Sequence, residues 1–201
     1  MTDRSVNRLW VTLGSHDRTV SYRCRVTHPT RDALLDAGEV VAEEFGLAGM
    51  SVNRVVANAG VAKGTFYVHF DDRRSFVDAL HARFHERVDA ATIGAIAGLE
   101  PGAELIARSA EAYLDVSLAN RAVKALALEA RSDPAFTEAM LRRQRRTAVA
   151  AIPSFKQMDW PDAEAAARLF LAMTSEVAVQ EMQAGRRVPA ARRALLRFLH
   201  G

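Results

Sequence analysis

The residues with the clearest chemical meaning lie between Ser51 and Phe70. A short segment that begins at Ser51 is followed by Gly60, and a second short segment, residues 62–70, is rich in small and hydrogen-bonding side chains. A glycine permits the tight turn of a helix-turn-helix, and the second helix of that motif lies in the major groove of DNA. This helix needs an outward face without bulky apolar side chains, and the segment meets that demand. The pattern indicates a partner that is double-stranded DNA.

A first helix is predicted ahead of this motif, from Thr30 to about Gly46. Its apolar residues recur at spacings of three and four, which is typical of one buried helix face. They are Leu34, Ala37, Val41 and Phe45. Ser51 is a good N-cap for the second helix, which is about two turns long and ends at the Asn58-Ala59-Gly60 break. The side chains expected to point inward or to hold the recognition helix in place are Val52, Val55, Val56, Ala59, Val61 and Phe66.

Residues 30–76, about a quarter of the chain, resemble the DNA-binding signature of TetR-family regulators. The similarity combines the turn glycine with an aromatic pair and a basic residue at fixed offsets. The matching residues are Ser51-Val52-x-x-Val55-x-x-x-Ala59-Gly60-Val61-x-Lys63-Gly64-Thr65-Phe66-Tyr67-x-His69-Phe70-x-x-Arg73-x-x-Phe76. The resemblance implies an N-terminal three-helix domain of the helix-turn-helix type, followed by a helical domain for ligand binding and dimerisation.

The same resemblance assigns roles to the candidate DNA-binding residues. It implies that Lys63, Gly64, Thr65 and Val68 face the groove, and that five residues approach the DNA backbone. Those five are Ser51, Thr65, Tyr67, His69 and Arg73. Elementary chemistry agrees, because hydroxyls and cations suit phosphate oxygens, lysine can donate to O6 or N7 of guanine, and glycine permits close approach. Val68 could touch a thymine methyl group.

The sequence departs from the family pattern in three places. Ala62 stands where Ser or Thr often caps the recognition helix, and losing that cap costs about 1 kcal/mol. Asp71-Asp72 replace the frequent Pro-Ser; either aspartate can cap the next helix, but it adds negative charge near DNA. Ala42 stands where an aromatic residue is frequent, and Phe45 is expected to compensate one turn later.

The rest of the chain is predicted to be helical as well. A long helix with an apolar stripe runs toward Gly94 and the Pro101-Gly102 break; the stripe consists of Phe76, Leu80, Phe84 and Val88. Later breaks place prolines where helices can start, at Pro134, Pro161 and Pro189. No segment alternates with period two, so we expect an all-α protein. The predicted organisation is a basic tail over residues 1–27, a DNA-binding domain over 28–75 and a ligand-binding and dimerisation domain over 76–201.

The C-terminal half offers side chains for an adaptable apolar cavity that would bind an unknown small-molecule effector. These candidates, each of which could equally be ordinary core, are Tyr113, Phe136, Met140, Phe155, Trp160, Phe170 and Met173. Helices are predicted over 163–185 and 189–199. Because the last two helices pair between subunits in the TetR family, and because DNA with two half-sites needs twofold symmetry, we expect a homodimer.

Two charged features leave alternatives open. His81 and His85 have a spacing that can hold a metal, but no third ligand is evident, so the prediction is no metal site. The other feature is a run of four arginines, predicted to lie opposite Met140, Leu141 and Val149 on one helix. Those arginines form either a solvated face or a contact for an acidic ligand or a membrane; they are Arg142, Arg143, Arg145 and Arg146.

Composition narrows the class of protein. The net charge of +3 allows an acidic partner without requiring one. Cys24 is the only cysteine, which fits a reducing cytosol, and no apolar run approaches the length of a membrane span, so we expect a cytoplasmic protein without membrane contact. The basic tail either grips DNA or is disordered. No G-x-x-x-x-G-K, H-E-x-x-H or G-x-S-x-G motif is present, so neither an enzyme nor a cofactor is expected.

These observations favour a transcriptional regulator, most simply a repressor that a small molecule releases from a palindromic operator. Two alternatives share the same architecture: a regulator whose ligand activates transcription or promotes repression, and a helical interaction module that does not bind DNA. The second alternative would have no use for a glycine turn followed by a polar recognition helix.

Overall fold

Every described element of the protein is helical, as the sequence predicts. The computed structural model describes residues 29–129 and 134–200. The basic tail with Cys24 and the break at Ser132-Asp133 lie outside these residues. In chain order the elements are α1 (Pro29–Gly49), α2 (Val52–Ala59), α3 (Lys63–His69), α4 (Arg73–Ala95), α5 (Ala103–Ala119), α6 (Arg121–Glu129), α7 (Pro134–Gln157), α8 (Ala163–Ala184), α9 (Pro189–Arg197) and a terminal 3-10 turn (Phe198–His200).

The described residues form two compact units. The N-terminal unit contains residues 29–86 and 120–129, and the C-terminal unit contains residues 87–119 and 134–200. The N-terminal unit is therefore larger than the segment 28–75 suggested by the sequence, since it includes the first part of α4 and the whole of α6. The helix α6 joins a unit from which it is separated by more than thirty residues of chain.

The core of the N-terminal unit is built on α1. Leu34 and Leu35 of α1 are buried together with Phe66, Leu80 and other apolar side chains of α2, α3 and α4. Leu126 of α6 is fully buried in the same cluster. Polar contacts reinforce both attachments to α1: Arg83 of α4 pairs with Glu39 at 2.6 Å and with Asp36 at 2.8 Å, and Arg121 of α6 pairs with Glu43 at 2.8 Å.

The C-terminal unit has a core of its own, in which α8 packs against α5, α7 and α9. Phe155 and Phe170 are buried, with ring centroids 6.0 Å apart, and Trp160 stacks on Phe198 at 4.8 Å. Of the seven candidate cavity residues, Phe155 and Phe170 belong to this core, and Tyr113, Trp160 and Met173 pack against it. Phe136 and Met140 are partly buried.

Most helix ends follow the predicted signals; the exception is Pro161, which precedes the N-cap Asp162 of α8 and does not start that helix. The Asp72 carboxylate accepts from the Ser75 N–H at 2.7 Å and caps α4, and the Asp162 carboxylate accepts from the Ala165 N–H at 2.9 Å and caps α8. Pro134 begins α7, and Pro189 begins α9. The predicted stripe of α4, which consists of Phe76, Leu80, Phe84 and Val88, is buried throughout.

The end of α1 differs from the prediction in one respect. Regular helix ends at Gly46, which has φ 63° and ψ −168°, and one further turn continues to Gly49. Phe45 was expected inside, but it is 40% exposed, and the Arg54 guanidinium lies 4.3 Å from its ring centroid. Met50, at 2% exposure, enters the core instead. The bend at Gly46 turns the following residues inward, which periodicity alone does not reveal.

No helix within residues 29–129 and 134–200 combines the length and the apolar character that a bilayer crossing requires. The arginine run on α7 is partly engaged in ion pairs: Arg142 contacts Glu138 at 2.5 Å, and Arg143 contacts Asp89. Leu141 and Val149, which the sequence places opposite the arginines, are 45% and 56% exposed.

The two histidines of α4 are not grouped with a third metal-ligating residue in the described part of the chain. His81 is 6% exposed, and burial lowers its pKa from 6.5 to about 4. The folded protein therefore holds the neutral imidazole, whereas the unfolded chain takes up a proton below pH 6.5.

We expect this difference to make the protein sensitive to acid. Stability contributed by neutral His81 is complete above pH 6.5 and is lost as the pH falls toward 4. Between neutral pH and about pH 4.5, the free energy of unfolding should fall by about 2–3 kcal/mol more for the wild type than for His81→Leu. Urea denaturation at both pH values measures this difference. His200→Gln, at an exposed histidine, is the control; equal acid sensitivity of wild type and His81→Leu would contradict the prediction.

Candidate nucleic-acid interface

The turn between α2 and α3 is built by its two caps. Ser51 adopts an extended backbone, and its hydroxyl accepts from the Arg54 N–H at 3.3 Å, which starts α2. Gly60 ends α2 in the left-handed conformation at φ 67°, where a residue with a Cβ is strained. The Val61 N–H then bonds to the Val56 carbonyl at 3.1 Å and reverses the chain into α3. Both predicted signals are confirmed.

The inward face of α3 is fixed by one aromatic residue. Phe66 is fully buried, and its ring centroid lies 5.3 Å from that of Phe70 and 5.3 Å from that of Phe76. Phe70 and Phe76 also meet each other edge to face at 4.9 Å. Three rings from α3 and from the start of α4 therefore lock the rotation of α3 about its axis. Tyr67 and Val68, which follow Phe66, then face outward.

The outward face of α3 carries the candidate groove residues. Val68 is 78% exposed and Tyr67 is 51% exposed, while Lys63 and Gly64 are exposed as well. A Cβ added at Gly64 would meet no atom of the protein within 4 Å, so another molecule could approach its backbone closely. Ala62 provides no side-chain cap at the start of α3, as the sequence implies. The outward face of α3 is therefore short and exposed, and Lys63 is the cation that it carries.

The residues predicted to approach the DNA backbone surround this face. Thr65 and His69 are half-buried, and Tyr67 packs edge to face on Phe66 with centroids 5.4 Å apart. Arg73 behaves differently, because its Nε donates to the Met50 carbonyl at 2.6 Å and an Nη donates to the Leu47 carbonyl. Arg73 therefore ties the start of α4 to the last turn of α1 and to Met50, next to Ser51.

Arg54 is a positioning residue that the sequence reading missed. Its Nη1 donates to the Gly49 carbonyl at 2.5 Å while its guanidinium covers the ring of Phe45. Arg31 likewise lies 5.1 Å above the Phe70 ring. These contacts hold α2 against the end of α1, and hold α1 against Phe70, the residue that follows α3. The available signal was an arginine in the first turn of α2, three residues after the N-cap, but nothing in the spacing identified its partner.

The local charge on this surface is mixed. Asp71 and Asp72 are exposed directly after α3. The hydrogen bond from the Ser75 backbone N–H holds the pKa of Asp72 below its usual range, so this carboxylate stays ionised. Because the capping bond binds Asp72 to the first turn of α4, its charge is offset in part by the helix N-terminus.

Comparisons with known proteins agree with this geometry. The model of the family "Bacterial regulatory proteins, tetR family" matches residues 34–80. The HTH-type transcriptional repressor NemR of Escherichia coli strain K12 is 34% identical over 65 residues, which are 30% of this chain and 33% of that protein. The matched segment thus spans about a third of the length of this curated relative.

Two solved structures extend the likeness in fold to most of the chain. A TetR-family transcriptional regulator from Rhodococcus sp. has a TM-score of 0.73 at 19% identity, covering 86% of this chain and 97% of its own. The multidrug binding protein EbrR, solved with imidazole, has a TM-score of 0.65 at 21% identity, covering 86% and 90%. With the glycine turn, the Phe66 anchor and the outward face of α3, these matches show that residues 34–80 are similar to the TetR family of bacterial regulatory proteins, and that most of the chain shares the fold of the two solved structures.

Proposed function

We propose that the protein is a DNA-binding transcriptional regulator of the cytoplasm, and most simply a repressor that leaves a palindromic operator when a small molecule binds. The observation that carries this proposal is the division of α3 into a face anchored by Phe66 and an opposite face that presents Lys63, Gly64 and Val68 to solvent. A helix with these properties fits the major groove. No catalytic role and no cofactor are needed for this function.

Each exposed residue receives a role from its chemistry. Lys63 donates to a guanine, Gly64 lets the helix lie against the bases, and Val68 contacts a thymine methyl group. Ser51, Thr65, Tyr67 and His69 contact phosphates or sugars around the groove. Arg73 uses two of its donor nitrogens within the protein, so in this proposal its remaining donors and its charge face the phosphates.

A homodimer is part of the proposal, since two half-sites require two recognition helices. Large apolar side chains exposed on the C-terminal unit support it. Leu141 and Val149 lie on α7, and Leu169 of α8 is 58% exposed. A second copy of the chain would remove these side chains from water.

Effector binding is proposed for the C-terminal unit. The candidate residues are the seven named above, of which five form or border its apolar core. The neighbour EbrR is described as a multidrug binding protein, which supports a small-molecule ligand for a protein of this fold. In our mechanism, a ligand among these helices displaces α4, and α4 carries the recognition helices out of register with successive grooves. A ligand that promotes DNA binding would also act through α4, but it would bring the recognition helices into register with successive grooves.

The proposal is tested with purified protein and DNA fragments that flank its own gene. By fluorescence anisotropy we expect tight binding that weakens by about 10³-fold between about 50 and about 200 mM salt. Replacing Lys63 or Tyr67 by alanine should weaken specific binding by about 1–3 kcal/mol, because each removes a contact to DNA while the buried anchor Phe66 is untouched. Titration should reach saturation at two chains per operator.

The matched control is Lys156→Ala, which removes an exposed lysine of α7 in the C-terminal unit and should leave DNA affinity unchanged. Thermal unfolding of each variant separates lost contacts from lost fold. Binding that survives both Lys63→Ala and Tyr67→Ala, or that is insensitive to salt, would favour an interaction module whose α3 does not read DNA.

A further inference from the structure

Ser117 is a buried hydroxyl that the fold leaves without a hydrogen bond. It lies near the end of α5, is 1% exposed, and its Oγ has no hydrogen-bond partner among the described residues. A buried hydroxyl in this state lowers the stability of the folded protein, because the bond to water is lost and nothing replaces it. Such a residue is unexpected unless its free hydroxyl serves another purpose.

Other hydroxyls in the same unit show the ordinary solution. Ser109, Thr147 and Thr174 each donate to the carbonyl four residues earlier in their own helix, at distances of 2.8, 3.1 and 2.8 Å. This bond satisfies a hydroxyl inside a helix without any help from a neighbour. Ser117 does not make it, although it lies within the same helix as Ser109. Its hydroxyl therefore receives no satisfaction from its own helix.

The surroundings of Ser117 define what could bind there. Ile106, Ala110 and Leu114 precede it on the same face of α5, and all three belong to the apolar core of the C-terminal unit. Glu181 is the one charged side chain buried within the described residues of this unit. Its carboxylate is already paired with Arg192 and with the Val188 N–H. The interior thus offers a free hydroxyl and no free charge.

We propose that Ser117 is the polar anchor of the effector site, and that the effector is a neutral, mainly apolar molecule with one hydrogen-bonding group. Binding sites for small molecules combine apolar walls with a few polar groups that fix orientation. A charged ligand would lose its hydration without gaining a counter-ion in this interior. The inference rests on the proposed ligand-regulated function and specifies its ligand.

The first test compares two substitutions on α5. Both Ser117→Ala and Ser109→Ala gain the same helix propensity, but only the first removes an unsatisfied buried hydroxyl. We expect Ser117→Ala to raise the Tm by about 2–4 °C more than Ser109→Ala does. A Ser117→Ala variant that melts no higher than Ser109→Ala would overturn the inference, because the hydroxyl would then be satisfied within the fold.

The second test uses three probes of similar size: phenol, benzene and benzoate. Phenol should raise the Tm of the wild type more than benzene, and benzoate should not raise it. In Ser117→Ala, we expect the affinity for phenol to fall about 3- to 10-fold, toward that of benzene, with benzene unaffected. Thermal shift titrations give each apparent Kd. No shift with phenol, equal binding of benzoate, or unchanged phenol affinity in the variant would each overturn the proposal.

Operator binding by the same preparations separates this inference from the proposed function. If the wild type and Ser117→Ala both bind DNA while the probe results fail, the proposed regulatory function is supported and the role of Ser117 as polar anchor is rejected. If neither binds DNA while phenol binding depends on Ser117, the site stands and the proposed regulation fails.

Discussion

Gly64→Leu is expected to fold at least as stably as the wild type and to lose about 100-fold in operator affinity. The position lies in open space, so a side chain meets no protein atom within 4 Å, and leucine has a higher helix propensity than glycine. In the proposed complex, the same side chain would occupy the gap between α3 and the bases and displace contacts worth about 1–3 kcal/mol each. Fluorescence anisotropy and thermal unfolding measure the two properties separately.

Gly94→Leu is the matched control for this prediction. Gly94 is also an exposed helical glycine whose added Cβ would meet no atom within 4 Å, but it lies on the part of α4 in the C-terminal unit. It should gain similar stability without loss of affinity. A graded series through Gly64→Ala should give an intermediate loss. Full affinity in Gly64→Leu would mean that α3 does not lie close to the base edges.

Arg192→Met is expected to destabilise the protein by about 3–5 kcal/mol, the largest loss of stability that we predict. Two nitrogens of Arg192 donate to the two oxygens of Glu181 at 2.7 and 2.6 Å, and a third donates to Asp115 at 2.7 Å. Glu181 is fully buried. Within the described residues, the substitution leaves this buried carboxylate with the Val188 N–H, at 2.9 Å, as its remaining hydrogen-bond donor. Urea denaturation at neutral pH measures the loss.

A double variant shows whether the cost comes from the unpaired charge. Because replacing a whole buried ion pair by apolar residues is often close to neutral, Glu181→Leu combined with Arg192→Met should recover most of the stability. Arg193→Met, at an exposed arginine of the same helix, is the control and should change little. If the double variant is as unstable as the single one, packing rather than charge accounts for the loss.

The same pair predicts how the loss depends on pH. Burial alone would raise the pKa of Glu181, but the hydrogen bonds from Arg192 and Val188, with the charges of Arg192 and Arg187, hold it below the ordinary value of 4.5. The ionised pair therefore contributes its full stability above pH 4.5, and loses it as the pH falls through the lowered pKa. The difference in unfolding free energy between wild type and Arg192→Met should narrow in that acidic range.

Local signals in the sequence were enough to locate the helix-turn-helix segment, α2 to α3, and the ends of most helices. Ser51, Gly60, Asp72 and Pro189 act on their immediate neighbours, so their effects can be inferred without knowing the fold. The inward position of Phe66 follows from its spacing within a short helix. These features placed α2, the turn and α3 correctly.

Contacts between distant parts of the chain could not be inferred in the same way. The bond from Arg73 to the Met50 carbonyl spans 23 residues, and its acceptor is a backbone atom that every residue type carries. Periodicity places Phe45 in the core, yet its side chain is 40% exposed next to the bend at Gly46. The unsatisfied hydroxyl of Ser117 depends on which atoms surround it, and a serine in a helix gives no sign of that.

The membership of α6 in the N-terminal unit limits how this protein can be divided. The chain leaves that unit after residue 86 and re-enters it at residue 120. An N-terminal fragment alone would therefore lack α6, whose Leu126 is buried in the core of that unit. A cut after residue 80, where the matched family segment ends, would leave a cavity in this core rather than yield a separate domain. Fusions that graft the N-terminal unit onto another protein must therefore carry α6 with it, or supply a helix of matching apolar face.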